Sequence, residues 1–296
     1  MRILITGANG LLGTRLAETF LSRGHEVFSG YILDPPMVGK PVPMDITDDV
    51  SVRGAFKESC PGAVFHCAAM TDVDKCEEDP EAAIKVNSEG TSTVSRQAVL
   101  YNSYLAYIST DYVFDGSKGN YKESDQTNPV SVYGRSKLLG EEAVKSSGAD
   151  FLIARSSVIY GAQPAMGKVN FALWLVESLR ASRPVTLLTD QYVSPTLNTS
   201  LCGMLLEALE KRLTGTYHMA GATRVSRYEF GVALARIFSL DQSLIEVSTT
   251  RDFQGRWKAT RPPDSSLDIS KATSILQTKP LALNDALEEL KKEIDG

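Results

Sequence analysis

The chain contains a tyrosine–lysine pair that could transfer a proton. Residues 132–137 read VYGRSK, which places Tyr133 four residues before Lys137. A free tyrosine holds its proton too tightly for easy exchange at neutral pH, and a nearby ammonium group would stabilise the phenolate and lower the phenol pKa. Roughly half of chains of this size would contain such a pair by chance, so its meaning depends on the elements that position it.

The first of these elements are a strand, a glycine-rich turn and a helix. Residues 2–5 read as a short buried strand, and Gly7, Gly10 and Gly13 follow it at a spacing of three. Helical spacing of apolar residues comes next, and then a second strand at 25–30. A helix N-terminus binds pyrophosphate through its free N–H groups and dipole, and side chains at these glycines would obstruct that contact. The unit therefore predicts a dinucleotide-binding site.

The end of the second strand bears on the choice of coenzyme. The strand end reads Ser29-Gly30-Tyr31-Ile32-Leu33, and no carboxylate follows until Asp34, which we expect to lie too far along the chain to reach the ribose of NAD. No arginine is present to bind the 2′-phosphate of NADP. This favours NADPH or the use of both coenzymes, with NADH left open. Asp45 and Ile46 follow a further short strand, where a carboxylate could accept a hydrogen bond from adenine and the isoleucine could cover the ring. The alternative for this segment is the N-cap of a helix at 49–59.

Two later strands end in residues suited to a ligand site. Small side chains at Ala68 and Ala69 leave room for a cofactor that crosses the edge of the sheet. Ser109 and Thr110 end a buried strand at 104–108, just before the helix that carries the tyrosine. A hydroxyl group there could hydrogen-bond a substrate carbonyl, and we prefer Thr110 for this role.

Together these features resemble the extended branch of the short-chain dehydrogenase/reductase superfamily, and within it the dTDP-4-dehydrorhamnose reductase family. The similar blocks span nearly the whole chain, in the order CAAMTDVDKCEEDPE, STDYVFDG, NPVSVYGRSK, DQYVSPT, GTYHMAG and RPPDSSLD. The resemblance implies an enzyme that uses NADPH or NADH to reduce the 4-keto group of a dTDP-6-deoxy-4-ketohexose, on the route to dTDP-L-rhamnose.

The resemblance also implies roles for individual residues. Thr110, Tyr133 and Lys137 would be catalytic, and the lysine would also bind the nicotinamide ribose. The expected cofactor-binding residues are Gly7, Asn9, Gly10, Leu11, Leu12, Gly13, Tyr31, Asp45, Ile46, Ala68, Ala69, Met70, Tyr133 and Lys137. The expected substrate-binding residues are Thr110, Asp111, Val158 and Arg261.

Two positions refine the expected reaction. Sugar-nucleotide 4,6-dehydratases have a glutamate after the aspartate of the STD block, whereas Tyr112 follows Asp111 here, which favours simple reduction. Many members of the reductase family carry tryptophan where this chain has Val158, so an aromatic wall beside the sugar is expected to be missing, and the exact hexose stays open.

The order of elements predicts an α/β fold, a doubly wound parallel (Rossmann-type) sheet with a smaller, mixed C-terminal substrate-binding portion. We expect residues 1–160 to form the NAD(P)-binding domain with the catalytic residues. Residues 161–296 would mainly bind substrate, with some segments returning to the Rossmann body. Further helices are expected near 167–182, 195–211 and 226–238, and from about residue 283.

Composition argues against several other classes of protein. The 296 residues carry a net charge of −5 without a basic run, which disfavours nucleic acid and anionic membranes as partners. The N-terminus does not resemble a signal peptide and no apolar run reaches membrane-spanning length, so we expect a cytoplasmic protein. Four cysteines without a CxxC pair and only three histidines predict reduced thiols and no metal site.

A second interpretation stays open. The same blocks resemble the β regulatory subunit of methionine adenosyltransferase, which binds NADP, partners another enzyme and also lacks the tryptophan. A regulatory role, or the activity of another sugar-nucleotide ketoreductase or epimerase, is therefore an alternative. The expected partner in the first interpretation is a small sugar nucleotide; members of the superfamily are often homodimers, but no sequence feature here requires one.

Overall fold

A seven-stranded parallel sheet lies at the centre of the computed structural model, which describes residues 1–163, 168–253 and 255–296. Its strands are β1 (Arg2–Thr6), β2 (Glu26–Tyr31), β3 (Lys40–Pro43), β4 (Ala63–His66), β5 (Tyr104–Thr110), β6 (Phe151–Ser156) and β7 (Gly215–His218). They lie in the order β7-β6-β5-β4-β1-β2-β3, so the direction of winding reverses between β1 and β4. The predicted doubly wound, Rossmann-type fold is confirmed.

Helices cover both faces of this sheet. The described residues form α1 (Leu11–Ser22), α2 (Asp49–Ser59), α3 (Val73–Glu78), α4 (Pro80–Ile84), α5 (Thr91–Leu100), α6 (Val132–Ser146), α7 (Phe171–Arg180), α8 (Asn198–Glu210), α9 (Arg227–Ile237), α10 (Ser270–Ile275) and α11 (Leu283–Asp295). Helices α1 and α8 pack on one face, and α2, α5 and α6 pack on the other. Residue 167, where the sequence predicted the start of α7, lies outside the described residues.

The central strands are apolar throughout because both of their faces are covered. In β1, Ile3 and Ile5 join the core beneath α1 and α8, while Leu4 between them joins the core beneath α2 and α5. All three side chains are fully buried. Successive side chains of a strand point to opposite faces, so a strand between two helical layers needs apolar residues at every position.

A second hydrophobic core lies in the C-terminal part of the chain. Helices α7, α9 and α11 pack together around Leu175, Phe230 and Leu287. Three short strand pairs accompany them, namely 159–160 with 196–197, 192–193 with 225–226, and 185–188 with 245–248. In contrast, α8 and β7 pack into the main sheet layer. Among the described helices, none is both long and apolar enough to cross a membrane.

A buried ion pair joins α6 to the sheet behind the carboxyl end of β5. Arg155 donates from Nε and Nη2 to the two carboxylate oxygens of Glu141, over 2.8 and 2.7 Å. Ser109 donates to the same carboxylate over 2.6 Å. Burial alone would raise the pKa of Glu141, but the hydrogen bonds and charge of Arg155 bring it below its usual range. The pair therefore holds the end of β5 against α6 in a charged state.

We expect Arg155→Met to lower the free energy of unfolding by about 3–5 kcal/mol, because Glu141 would lose its buried cation and keep only the longer, 3.3 Å contact with the exposed ammonium of Lys145. Because the pKa of Glu141 is lowered by folding, this stabilisation is fully present above its ordinary value of 4.5 and is lost as the pH falls through the folded-state value. Urea unfolding at neutral and at acidic pH measures both effects.

The matched control is Arg212→Met, which removes the cation of an exposed pair with Asp150. Its effect should be much smaller, since solvent screens exposed ion pairs. If Arg155→Met were as stable as the wild type at neutral pH, the buried pair would not hold β5 and α6 together.

Candidate active site

A cleft of about 1310 Å³ runs along the edge of the sheet where the parallel strands end. This is the edge at which doubly wound sheets bind ligands. Its volume exceeds that of an ordinary small-molecule pocket, which leaves room for two ligands. The predicted site residues that line it are Gly7, Asn9, Gly10, Leu11, Leu12, Gly13, Tyr31, Asp45, Ile46, Ala68, Ala69, Thr110, Asp111, Tyr133, Lys137, Val158 and Arg261.

The glycine turn is shaped for a close backbone approach. Gly7 has a φ of 64°, and a Cβ there would lie 2.8 Å from the Cα of Ala68. A Cβ on Gly13 would overlap the carbonyl oxygen of Gly7. Helix α1 starts at Leu11, and its N-cap residue Gly10 offers no side-chain hydrogen bond. The first N–H groups of the helix are therefore left for a ligand, and these residues fit the pyrophosphate of a dinucleotide.

Asp45 and Ile46 lie where a base could rest on the cleft wall. The Oδ1 atom of Asp45 accepts hydrogen bonds from the backbone N–H and the hydroxyl of Thr47, over 2.9 and 2.8 Å. These bonds fix the carboxylate beside the cleft. The cap of α2 is supplied by Asp48, which accepts from the N–H of Val50. The helix-cap interpretation thus applies to Asp48, and Asp45 lies one turn earlier on the cleft wall.

Met70 was expected to bind the cofactor, but it is not among the residues that line the cleft, and Asn87 holds its backbone. The side-chain amide of Asn87 accepts from the N–H of Met70 over 2.8 Å and donates to its carbonyl oxygen over 3.0 Å. The same amide donates to Ser136 on α6 over 2.9 Å. Asn87 is fully buried in a π-helical turn, Lys85–Gly90, so it is not a solvated surface residue. It fixes the loop after β4 to the helix that carries Tyr133.

Thr110 and Tyr133 are brought together at the end of β5. Both side chains line the cleft, and Thr110 is among the groups that act on the phenol pKa of Tyr133. The neighbouring Ser109 faces away and donates to Glu141. Because side chains alternate along a strand, only one of these two hydroxyls can face the tyrosine. The geometry favours Thr110 over Ser109 as the hydroxyl beside the proton donor.

Lys137 is buried next to the same strand. Its Nζ donates to the carbonyl oxygen of Ile108 over 2.8 Å and lies 4.1 Å from the centre of the Tyr107 ring. Burial lowers the pKa of Lys137 to about 7, although Glu141 opposes this shift. The group can therefore gain or lose a proton near neutrality.

The expectation of a lowered phenol pKa is not met in this structure. Burial raises the pKa of Tyr133 above its ordinary value, and the interaction with Thr110 offsets only part of that effect. The reason is that loss of water around the phenol disfavours the phenolate more than its neighbours stabilise it. The phenol is accordingly held in its protonated, donating form.

The carboxylate of Asp111 is occupied by hydrogen bonds from hydroxyl groups of the protein. Its Oδ1 accepts from Thr110 over 3.0 Å, and its Oδ2 accepts from Ser157 over 2.8 Å and from Ser265 over 2.5 Å. Only 2% of the residue is exposed. These bonds join the ends of β5 and β6 to the RPPDSSLD segment. Asp111 therefore orients Thr110, and its carboxylate faces protein hydroxyls.

Arg261 lines the cleft, but its charge is already paired. Its guanidinium makes two hydrogen bonds to the carboxylate of Asp74, over 2.7 and 3.1 Å, and stacks 4.1 Å from the centre of the Trp257 ring. Hydrogen bonding to Arg261 lowers the pKa of Asp74 to about 2. The pair joins α3 to the C-terminal segment and brings little net positive charge to the cleft.

Arg227 was not among the substrate-binding residues expected from the sequence, yet it lines the cleft. Its Nε donates to the amide oxygen of Gln191 over 3.2 Å, and its guanidinium lies 4.9 Å from the centre of the Phe171 ring. No carboxylate is within salt-bridge distance of it among the described contacts. Nothing in the sequence separated this arginine from its neighbours, because its exposure to the cleft depends on how α9 packs.

Ser156 was missed by sequence reasoning. It ends β6 directly opposite Thr110 in the strand register and lines the cleft. Its hydroxyl is buried and has no hydrogen-bond partner in the structure. A buried hydroxyl without a partner costs about 1–3 kcal/mol, which a ligand could recover. The available signal was its position, since it ends β6 as Thr110 ends β5.

The described residues contain no group of three or more histidine, cysteine, aspartate or glutamate side chains able to hold a metal ion.

The sequence profile of one protein family, described as the RmlD substrate binding domain, matches residues 1–295. The chain belongs to the RmlD substrate-binding domain family.

Three similar proteins illustrate how the chain relates to others of this kind. A probable low-salt glycan biosynthesis reductase of Haloferax volcanii is 38% identical, over 98% of this chain and 97% of its own. A crystal structure of dTDP-4-dehydrorhamnose reductase from Bacillus anthracis in complex with NADP is 29% identical, covers 99% of both chains and has a TM-score of 0.87. Methionine adenosyltransferase 2 subunit beta of Bos taurus is 29% identical over 93% of this chain and 82% of its own.

Membership of the RmlD family confirms the resemblance that the sequence motifs indicated. It also confirms the predicted enzyme class, an NAD(P)H-dependent oxidoreductase, and the predicted cofactor, NADPH or NADH. The glycine turn and the small residues beside it fit such a cofactor on structural grounds as well.

Val158 gives this RmlD-family cleft an unusual backbone. The residue has a φ of 40°, in the left-handed region that β-branched side chains rarely adopt. Its carbonyl oxygen accepts from the N–H of Thr196 over 3.2 Å, which helps to hold the turn. Strain at a binding cleft persists only when the surrounding contacts enforce it. The turn therefore presents an aliphatic side chain to the cleft at the position where the resemblance predicted a missing tryptophan.

We expect Val158→Gly to be more stable than Val158→Ala by about 1 kcal/mol, because only glycine adopts this backbone without a Cβ clash. Both variants lose the same apolar contacts apart from one carbon, so their difference isolates the backbone strain. Chemical denaturation of the two variants measures it.

The control is the same pair of substitutions at Val99, which lies in helix α5. There alanine should be the more stable by about 1 kcal/mol, as in an ordinary helix. Equal stability of Val158→Ala and Val158→Gly would contradict the strained turn.

Proposed function

We propose that this protein reduces the 4-keto group of a dTDP-6-deoxy-4-ketohexose with NADPH or NADH, as a dTDP-4-dehydrorhamnose reductase does. The observation that carries the proposal is that Tyr133, Thr110 and Lys137 line one cleft, on the same edge of the sheet as the glycine turn. The similarity to a dTDP-4-dehydrorhamnose reductase over the whole chain supports it.

The coenzyme, when bound, supplies the hydride. Tyr133 donates its proton to the oxygen of the reduced carbonyl, and burial keeps that proton on the phenol until it is needed. Thr110 donates to Asp111 in the structure, and its hydroxyl turns to donate to the same substrate oxygen when substrate binds. Lys137 binds the nicotinamide ribose and, in its charged form, stabilises the phenolate left after proton transfer.

The carboxylates at the site support reduction over dehydration. A dehydratase needs an acid and a base near the sugar, and the sequence offers only Asp111 at the strand end, followed by Tyr112. Asp111 accepts three hydrogen bonds from protein hydroxyls. A single proton donor, Tyr133, is sufficient for reduction of a ketone.

We further propose that residues 1–160 bind the coenzyme and carry the catalytic groups, while residues 161–296 mainly bind the nucleotide part of the substrate. Arg227 is the best placed cation for its diphosphate, since charge-assisted hydrogen bonds recognise phosphate oxygens. Trp174 lines the cleft, is 40% exposed and stacks on Phe171 with ring centres 5.9 Å apart. This pair offers a surface on which a pyrimidine base can stack. Arg261 then has a structural role with Asp74.

The location we propose is the cytoplasm. All four cysteines are present as free thiols in the structure. Free thiols fit a reducing compartment, because disulfides are rare in cytosolic proteins.

A regulatory role is the alternative that the similarity to methionine adenosyltransferase 2 subunit beta favours. In that case the protein would bind the coenzyme without turning over a sugar nucleotide. The similarity to a glycan biosynthesis reductase leaves other nucleotide-linked ketosugars as substrates of the same chemistry.

We expect the purified protein to oxidise NADPH or NADH when dTDP-4-keto-6-deoxyhexose is added. Tyr133→Phe should reduce this rate by about a hundredfold to ten-thousandfold, because it removes the proton donor. The loss of coenzyme absorbance measures the rate. Tyr101→Phe, on the outer end of α5, is the control and should keep the wild-type rate.

The rates of the wild type and of Tyr133→Phe distinguish the reductase from the regulatory role. Tight coenzyme binding by the wild type without turnover would favour the regulatory role. A rate unchanged by Tyr133→Phe would refute the catalytic assignment of this tyrosine.

We expect Arg227→Gln to raise KM for the nucleotide sugar by about ten- to a hundredfold with little change in kcat, since a hydrogen bond to a charged group contributes about 1.5–3 kcal/mol. The control is Arg236→Gln on the same helix, an exposed arginine that bonds Asn284. Steady-state kinetics of both variants measure the effect. An unchanged KM for Arg227→Gln would place the diphosphate elsewhere.

A further inference from the structure

The loop after β2 folds back onto the glycine turn. Asn9, within the turn, donates from Nδ2 to the backbone carbonyl oxygen of Asp34 over 2.6 Å. Asp34 also lines the cleft, together with the two residues before it. From the sequence, Asp34 was expected to lie too far along the chain to meet the coenzyme. The contact with Asn9 corrects that expectation, because it brings Asp34 next to the start of α1.

This is where the fold places the adenosine ribose of a dinucleotide. In doubly wound sheets the pyrophosphate lies at the start of the first helix, and the ribose hydroxyls lie beside the end of the second strand. Here these positions correspond to Leu11 and Tyr31. Asp34 is exposed, and no hydrogen bond to its carboxylate is found among the described contacts. The carboxylate is therefore available to a ligand.

No cation lies at this end of the cleft among the described residues that line it. Lys137 lies beside Tyr107, and Arg261 is paired with Asp74. Lys168 is close enough to Cys76 to affect the thiol, and Arg227 bonds Gln191. None of these four cations is found in contact with Asp34 or with the glycine turn among the described contacts.

The residues around Asp34 offer no positive charge to a bound phosphate. Ile32 and Leu33 are 65% and 86% exposed and offer only apolar surface. Lys40 is the first residue of β3, so it lies at the end of the strands away from the cleft, and it is paired with Glu26 over 2.7 Å. A 2′-phosphate, which adds a charge of about −1.5 to −2 at neutral pH, would meet a carboxylate and no compensating cation.

We infer that the coenzyme site prefers NADH to NADPH, and that Asp34 sets this preference by accepting a hydrogen bond from the 2′-hydroxyl of the adenosine ribose. The inference rests on the proposed function, which requires a reduced nicotinamide coenzyme. It reverses the preference for NADPH that the sequence indicated from the absence of an acid at Tyr31.

Equilibrium titration of the full chain with each coenzyme, followed by nicotinamide fluorescence, tests the inference without any turnover. The wild type should bind NADH at least about tenfold more tightly than NADPH. Asp34→Asn should narrow that ratio, since it removes the repulsion of the phosphate. Leu33→Arg should reverse the ratio by adding a cation. Glu58→Gln removes an exposed carboxylate on α2 and should leave the ratio at its wild-type value.

The results of these titrations test the coenzyme preference separately from the proposed reductase function. Binding of neither coenzyme would overturn both. Wild-type affinity for NADPH equal to or greater than that for NADH would overturn the preference and leave the reductase proposal standing. A ratio unchanged by Asp34→Asn would remove Asp34 from its assigned role.

Discussion

The parallel arrangement of the sheet is the constraint on which the site depends. Parallel strands end at one edge, so residues far apart in sequence meet there without any long-range signal in the chain. Gly7 follows β1, Ala68 follows β4, Thr110 ends β5 and Ser156 ends β6. The reversal of strand order between β1 and β4 opens the edge into a crevice. A register slip or an antiparallel pairing in this region would separate the coenzyme turn from the proton donor.

Buried polar residues behind the cleft hold this edge in place. Glu141 holds Ser109, Asp111 holds Thr110, and Asn87 holds the loop at Met70. Each makes more than one hydrogen bond, and such networks rigidify a core only when every member is satisfied. These bonds therefore fix the ends of the strands and the loop around the catalytic side chains. Burial then sets their chemistry, because it keeps Tyr133 protonated and lets Lys137 titrate near neutrality.

Local sequence was sufficient to predict the features that depend on local chemistry. The spacing of Gly7, Gly10 and Gly13 follows from the geometry of a turn and the start of a helix, so it could be read directly. The Tyr133 and Lys137 pair follows from helical spacing in the same way. The fold class follows from the alternation of buried strands with helices.

The features that were not predictable depend on packing between distant segments. Arg261 and Arg227 look alike in sequence, and only the position of Asp74 decides which of them keeps an unpaired charge. The return of Asp34 to the cleft depends on a single contact with Asn9. The positive φ of Val158 could not be predicted from its residue type, because β-branched residues rarely adopt that conformation.

The account is tested most directly by a crystal structure of the protein with reduced coenzyme and dTDP bound. It predicts the pyrophosphate of the coenzyme on the first N–H groups of α1, and the nicotinamide ring beside the Tyr133 hydroxyl with Lys137 at its ribose. It also predicts the diphosphate of dTDP at Arg227. A coenzyme bound away from the glycine turn, or a nicotinamide ring out of reach of Tyr133, would contradict it.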